Sequence, residues 1–329
     1  MIKIEPQLSV IIPVHNTAPY LKRCVDSVVN QTMKNIEIIL VENLSIDSSG
    51  SICDEYALQD QRIKVMHLDK AGLSIARNAG ISVASAPYVG FIDSDDWILP
   101  NMYEDLWKTI TTNGSEIAYC NLCYEHVDGK IEHIYPNSGK IYERRPKDVI
   151  FDIFCENVSS SCCTKLFKKE LFLDLRFPEG LFFEDHCTFY KWVEMCTKVS
   201  WIDKTYYYYY QREGSICHST DLNRKFDYFM AEYGRLNFVC ESSLFDKIEQ
   251  DKLIKVIIKH ALAIFKMFMK EPTHYQYKSK VLLMRKMLKK CLNFSKKQIG
   301  QNNYKRLIKI VYFWPLYYLT HFAFLKPKK

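Results

Sequence analysis

Apolar runs alternate with helix-period stripes over the first ninety residues, and each run ends in polar or acidic side chains. Residues 8–14 form a continuous apolar run, the pattern of a strand buried on both faces. Across 18–31, Leu21, Cys24, Val25, Val28 and Val29 recur at helical spacing. Runs at 36–41, 63–68 and 87–92 predict three more strands, and 48–59 and 73–84 two more helices. This alternation predicts an α/β fold with a mainly parallel sheet flanked by helices, whose ligand site lies outside the carboxyl ends of the strands. His15, Asn16, Glu42, Asn43, Asp69 and Asp93 to Asp96 all fall at those ends.

The pattern changes after about residue 115. Strand-like stretches at 116–126 and 130–135 flank Asp128-Gly129, a type I′ hairpin signal. Helices are expected near 100, at 146–156 and at 184–196, and short strands at 199–202 and 206–210. The five tyrosines 206–210 are read as a strand with one packed face, a sugar platform being the alternative. From Leu222 onward the chain reads as helical. The predicted division is 1–219, in halves 1–115 and 116–219, followed by a basic helical extension at 220–329.

Apolar content of 48% and charged content of 25% exclude a disordered chain. The net charge of +7 hides an asymmetry: residues 1–219 carry 22 Lys and Arg against 30 Asp and Glu, and residues 220–329 carry 23 against 8. No acidic residue follows Glu271, so an anionic surface is the expected partner of the C-terminal part. No apolar run precedes the first strand, and the twelve cysteines are read as reduced cytosolic thiols. Cys120 and Cys123 have metal or redox spacing, but no second pair accompanies them, and core packing is the better account.

Asp93-Ser94-Asp95-Asp96 emerges from the 87–92 strand. Three carboxylates there suit a hard cation, Mn²⁺ or Mg²⁺, and a protein lending one or two of them leaves the other positions to water and phosphate oxygens. A nucleoside diphosphate is then the natural partner. Alone, the motif reads better as an acidic turn capping the next helix.

Together with its neighbours it carries a resemblance. Ser9-Val-Ile-Ile-Pro-Val-His-Asn16, Gln31-Thr32, Val41-Glu-Asn-Leu-Ser-Ile-Asp47-Ser48, Gly72-Leu-Ser-Ile-Ala-Arg77-Asn78-Ala-Gly80 and Phe91-Ile-Asp-Ser-Asp-Asp-Trp97 resemble, in order, the nucleotide-sugar motifs of family 2 glycosyltransferases of the GT-A (Rossmann-like) fold. Lys165-Leu-Phe-Lys-Lys-Glu-Leu171, Phe177-Pro-Glu-Gly180, Phe183-Glu184-Asp185 and Arg212-Glu-Gly-Ser215 resemble the acceptor-side half of the same family. The likeness spans roughly 7–218.

The resemblance implies inverting transfer of a hexose or N-acetylhexosamine from a UDP-sugar to a glycan hydroxyl, in surface polysaccharide synthesis. It implies donor contacts from Pro13, His15, Asn16, Glu42, Asn43, Arg77, Asp93, Asp96 and Arg212, with a salt bridge as the alternative for Arg77. Family members usually carry Asp-Asp-Gly-Ser where this chain has Glu42-Asn43-Leu44-Ser45. Asp95 is implied as the principal metal ligand, with Asp93 and His218 as further candidates. Asp185 is implied as the catalytic base, supported by Glu184, and Ser215 as support on the Arg212 side. Glu184 and Asp185 also read as plain dipole chemistry at a helix start.

The tail adds the last expectations. Leu253, Val256, Ile257, His260, Ala261 and Ile264 form one stripe among lysines, and the aromatic end 307–325 is too polar in its middle for a spanning segment. Interfacial binding to anionic lipid is expected, with packing on the catalytic domain or in a dimer as the alternative. The location implied is cytoplasmic, peripheral at the inner face of the cell membrane, with a lipid-linked acceptor. A homo-oligomer stays open. No nucleic-acid motif accompanies the basic charge, and none is expected to bind. The rival from another class is a noncatalytic sugar-nucleotide or glycan binding module at the membrane.

Overall fold

The computed structural model describes residues 5–212, 221–271 and 273–314. The chain falls into two compact units, one of 1–149, 160–180 and 188–215, the other of 150–159, 181–187 and 216–329.

The first unit is built on a ten-stranded sheet. Its strands are β1 (Leu8–Val14), β2 (Ile36–Glu42), β3 (Ile63–His67), β4 (Tyr88–Phe91), β5 (Trp97–Ile98), β6 (Ile117–His126), β7 (Ile131–His133), β8 (Ile141–Arg144), β9 (Lys165–Lys168) and β10 (Val199–Gln211). The order is β3-β2-β1-β4-β9-β6-β10-β5, with β7 paired to β6 and β8 to β10. From β3 to β4 every pairing is parallel. The crossovers are α1 (Ala18–Val29), α2 (Ser49–Gln59) and α3 (Leu73–Val83), and α4 (Met102–Asn113) follows β5. All seven residues of β1 and of β2 are buried, as their continuous apolar runs require. α3 lies so close to β1 that a Cβ on Gly80 would stand 2.5 Å from Ile11 Cγ2, and only glycine fits there.

Beyond β4 the sheet is mixed. β9 runs antiparallel between β4 and β6, and β10 runs parallel to β6. The two short strands expected at 199–202 and 206–210 are one strand, with irregular register around Thr205. The hairpin at Asp128-Gly129 exists, but it is not type I′. Gly129 alone of that pair has positive φ, 82°, and His126 N–H donates to the Lys130 carbonyl, so the loop is the three-residue kind closed by a left-handed glycine. No aspartate caps α4, because β5 intervenes and Asn101 precedes the helix.

Glu37 ties the parallel half together. It is buried on β2 and accepts from Ser9 Oγ at 2.5 Å and from Ser85 N at 2.6 Å, with Lys64 Nζ at 2.5 Å. Burial opposes its charge, yet these partners lower its pKa from 4.5 to about 2. A depressed carboxylate contributes stability that is whole above its unfolded pKa and is lost as pH falls toward the folded one. Glu37→Gln is therefore expected to cost about 2–3 kcal/mol at pH 7. By denaturant unfolding, its gap to the wild type should close between pH 4.5 and about 2.

The second unit contains the end of α5 (Pro146–Phe154), the first turn of α6 (Glu184–Glu194), α7 (Leu222–Glu241), α8 (Lys247–Lys270), α9 (Lys278–Lys290), α10 (Lys296–Ile299) and α11 (Gln301–Tyr312). The α8 stripe is spent on packing: Leu253, Ile257, Ala261 and Ile264 are buried, and Ile254, Ile258, Leu262 and Phe265 widen the face beyond the one expected. α8 packs chiefly on α7, and α10 and α11 join it. No helix among the described residues is long and apolar enough to cross a membrane. Residues 315–325 of the aromatic end lie outside the described residues.

Candidate active site

At the end of β1, Pro13 lies opposite Val41 of β2, past the stretch that β4 pairs, where its missing N–H costs no bond to β4. His15 Nδ1 donates to the Asn43 carbonyl at 2.6 Å, and its Nε2 accepts from Asn16 Nδ2 at 3.1 Å, an arrangement that sets the ring tautomer. Asn16 takes the left-handed conformation, φ 52°, tolerated by asparagine better than by most residues. Its N–H donates to Ser45 Oγ, and its Oδ1 accepts from Ile46 N at 2.8 Å.

The loop after β2 does without the family's usual glycine. Leu44 adopts φ 55° in that place. Glu42 accepts from Ser45 N at 2.6 Å and meets His67 Nδ1 at 3.3 Å. Burial works against this charge, but the Ser45 and His67 hydrogen bonds hold the carboxyl below its usual range. Asn43 forms a two-bond pair with Gly72, donating to its carbonyl and accepting from its N–H. Both side chains thus brace the loops at the carboxyl ends of β2 and β3.

The aspartate turn follows β4, closed by Asp96 N donating to the Asp93 carbonyl. Arg77, only 2% exposed, donates to Asp93 Oδ1 at 2.7 Å and lies 5.4 Å over the Phe177 ring. The salt bridge held as the alternative for Arg77 is therefore present. Asp95 Oδ2 accepts from Arg212 Nε at 2.6 Å. Asp96 is fully enclosed: Tyr207 Oη donates to one carboxylate oxygen at 2.5 Å and Tyr210 N to the other at 2.8 Å. Burial, then Asp93, raises the Asp95 carboxyl above its ordinary range despite Arg212. Asp96 is raised further, by burial and then by Asp95 and Asp93. Asp96 thus anchors the turn to β10, while Asp93 and Asp95 keep 32% and 17% of their side chains exposed.

Those two carboxylates supply hard oxygen donors. The described residues bring no third His, Cys, Asp or Glu to them. The set fits a Mn²⁺ or Mg²⁺ ion whose shell is completed by phosphate and water, and does not fit an all-protein cage. Cys120 and Cys123 are buried free thiols, in keeping with core packing.

An aromatic wall missed in the sequence flanks this turn. Tyr208 stacks on Trp97 at 3.8 Å between ring centroids, Trp97 Nε1 donates to Glu125, and Arg23 pairs with Glu125 at 2.9 Å while lying over the Tyr210 ring. The tyrosine run is thus only partly a packed face: Tyr206 and Tyr207 are buried, whereas 208–210 are half-buried. A buried tyrosine hydroxyl needs a hydrogen-bond partner. That requirement calls for a partner to Tyr207 without naming Asp96.

In the second unit, Glu184 is buried and Asp185 half-buried at the start of α6, where Asp185 Oδ1 accepts from His186 N at 2.7 Å. Ser215 and His218 lie outside the described residues.

Comparison with known proteins agrees with this architecture. Residues 9–176 match the family model for glycosyl transferase family 2. Streptococcus pneumoniae glycosyltransferase GlyG is 34% identical over 220 residues, covering 64% of this chain and 72% of that protein. Glycosyltransferase GlyA of the same organism is 37% identical over 227 residues, or 65% of this chain and 32% of its own length, so the chain spans about a third of it. The crystal structure of Staphylococcus aureus TarS 1–349 in complex with UDP-GlcNAc aligns with a TM-score of 0.70 over 94% of this chain and 92% of that one, at 19% identity, and bears out the expected α/β GT-A fold. Motifs, fold and family match together establish that the chain belongs to glycosyl transferase family 2.

Proposed function

We propose that this glycosyltransferase moves a hexose or N-acetylhexosamine from a UDP-sugar to a hydroxyl of a glycan acceptor, with inversion, in surface polysaccharide synthesis. The observation that carries the reading is the pair of partly exposed carboxylates, Asp93 and Asp95, held at the carboxyl end of β4 by Arg77 and Arg212. Support for the donor class comes from the UDP-GlcNAc complex of TarS. Support for the pathway comes from a 31% identical relative named as a minor teichoic acid biosynthesis protein of Bacillus subtilis.

In this reading the acceptor oxygen forms a bond to the anomeric carbon as the bond from that carbon to the diphosphate oxygen breaks. Asp185 takes the acceptor proton. Arg77 holds Asp93 in place beside the donor, and Arg212 exchanges part of its bond to Asp95 for one to the departing diphosphate. A Mn²⁺ or Mg²⁺ ion on Asp95 and Asp93 would supply Lewis-acid stabilisation of the charge on that leaving group. A lipid-linked acceptor at an anionic membrane surface is part of the proposal, resting on the absence of acidic residues after Glu271.

A screen of UDP-sugars with either metal, read as protection against thermal unfolding and slow donor hydrolysis, tests the donor assignment. One UDP-sugar should raise the melting temperature above UDP-free protein. Protection by none of them, or equal protection by nucleotides of every base, contradicts it. Vesicles of anionic lipid should sediment the protein at low salt and release it at high salt. Failure to bind them removes the membrane part.

A further inference from the structure

One face of α7 is polar, half-buried at Arg224 and Tyr228 and buried at Glu232 and Arg235, and it faces the segment that carries Asp185. Arg224, Tyr228, Glu232 and Arg235 recur at intervals of four, four and three, so they share that face. Each meets a residue beside Asp185. The Arg224 guanidinium lies 4.7 Å over the Phe182 ring, and Asp227 Oδ2 accepts from Phe182 N at 3.1 Å. Tyr228 stacks on Phe183 at 4.8 Å and meets the His186 ring edge-on at 4.9 Å. His186 Nε2 donates to Glu232 Oε1 at 2.7 Å, and Arg235 donates both to that oxygen and to the His186 carbonyl, each at 3.2 Å. His260 of α8 stands 3.4 Å from the other Glu232 oxygen.

These side chains hold a conformation the chain would not keep alone. Phe183 sits at φ 60°, a left-handed setting costly for an aromatic residue, and it immediately precedes Glu184 and Asp185. Glu232 and Arg235 are each 1% exposed. Burial, and then Arg235, holds the His186 imidazole below its ordinary range, which favours the neutral ring whose Nε2 proton serves the Glu232 bond. A buried ion pair of this kind contributes little net stability over apolar side chains of the same shape, since desolvation offsets its attraction. Its effect is to specify one geometry.

We propose that Glu232, acting through His186 and braced by Arg235, is a positioning residue that fixes the Asp185 carboxylate for proton removal. This rests on Asp185 as the base. The helix that opens the basic extension read from the sequence at 220–329 is then, on this face, part of the catalytic scaffold. His186 N donating to Asp185 Oδ1 is the last link, because the bonds that hold His186 by its ring and by its carbonyl also hold in place the N–H that aims the carboxylate.

Four variants test it: Glu232→Gln, His186→Phe, Asp185→Asn and the Asp185→Asn/Glu232→Gln double variant, assayed for kcat and for UDP-sugar affinity. Glu232→Gln should lower kcat about tenfold to a hundredfold, the scale of a small misplacement of a catalytic group, with donor Kd within about twofold of wild type. The double variant should be no slower than Asp185→Asn alone, because a residue acting through Asp185 has nothing left to position. His186→Phe, which leaves the Glu232–Arg235 pair whole, should repeat the pattern and decides the matter if Glu232→Gln misfolds. Wild-type kcat in the folded variants, losses that multiply with that of Asp185→Asn, or a parallel loss of donor affinity overturns the proposal. An unimpaired Asp185→Asn overturns the base assignment instead, so the two failures are distinguishable.

Discussion

Asp185→Asn is expected to bind its donor normally while transfer falls by about two to four powers of ten, the range for loss of a general base. An amide keeps the shape of the carboxylate and accepts the hydrogen bond from His186 N, so the start of α6 should survive. What is lost is the capacity to take a proton. Folding is checked by circular dichroism, and donor affinity by calorimetric titration. A fall in UDP-sugar affinity matching the fall in turnover would make Asp185 a donor contact and not a base.

Asp95→Asn should act differently. Removing an anionic oxygen from the strand-end pair is expected to cost several kcal/mol of leaving-group stabilisation, roughly two to three powers of ten in turnover, and to weaken donor binding. Asp95 is partly exposed and its bond from Arg212 can pass to the amide oxygen, so the sheet should remain intact. Asp96→Asn is the contrast. That carboxylate is enclosed by Tyr207 and Tyr210 N, and its loss should appear as instability before any defect in binding. Full turnover by Asp95→Asn removes its assigned role, and wild-type turnover unchanged in EDTA removes the cation.

The parallel half of the sheet was legible in the sequence because its central strands are buried on both faces. Each of β1 to β4 lies within a residue or so of its apolar run, and the polar residues after the runs gather at the strand ends as expected. The antiparallel insertions were harder. β9 is four residues long and begins with Lys165, a fully buried lysine whose Nζ donates to the Ser161 carbonyl and lies 4.3 Å over the Phe189 ring. A lysine there looks like surface.

The same physical cause hid the roles of β10 and α7. Tyr207 reaches Asp96 across 111 positions, a pairing that no local pattern encodes. Arg224, Asp227, Glu232 and Arg235 read as the polar side of a solvated helix, whereas their charges are used internally. Periodicity identifies which residues share a face. It does not distinguish a charged face turned to water from one neutralised inside the protein.

Calorimetric titration of a UDP-sugar into wild type, Asp95→Asn and Asp185→Asn, side by side in Mn²⁺, tests the central claim most directly. The account predicts near-equal donor affinity for wild type and Asp185→Asn and markedly weaker binding by Asp95→Asn. Equal affinity in all three proteins, or weakening confined to Asp185→Asn, would contradict it.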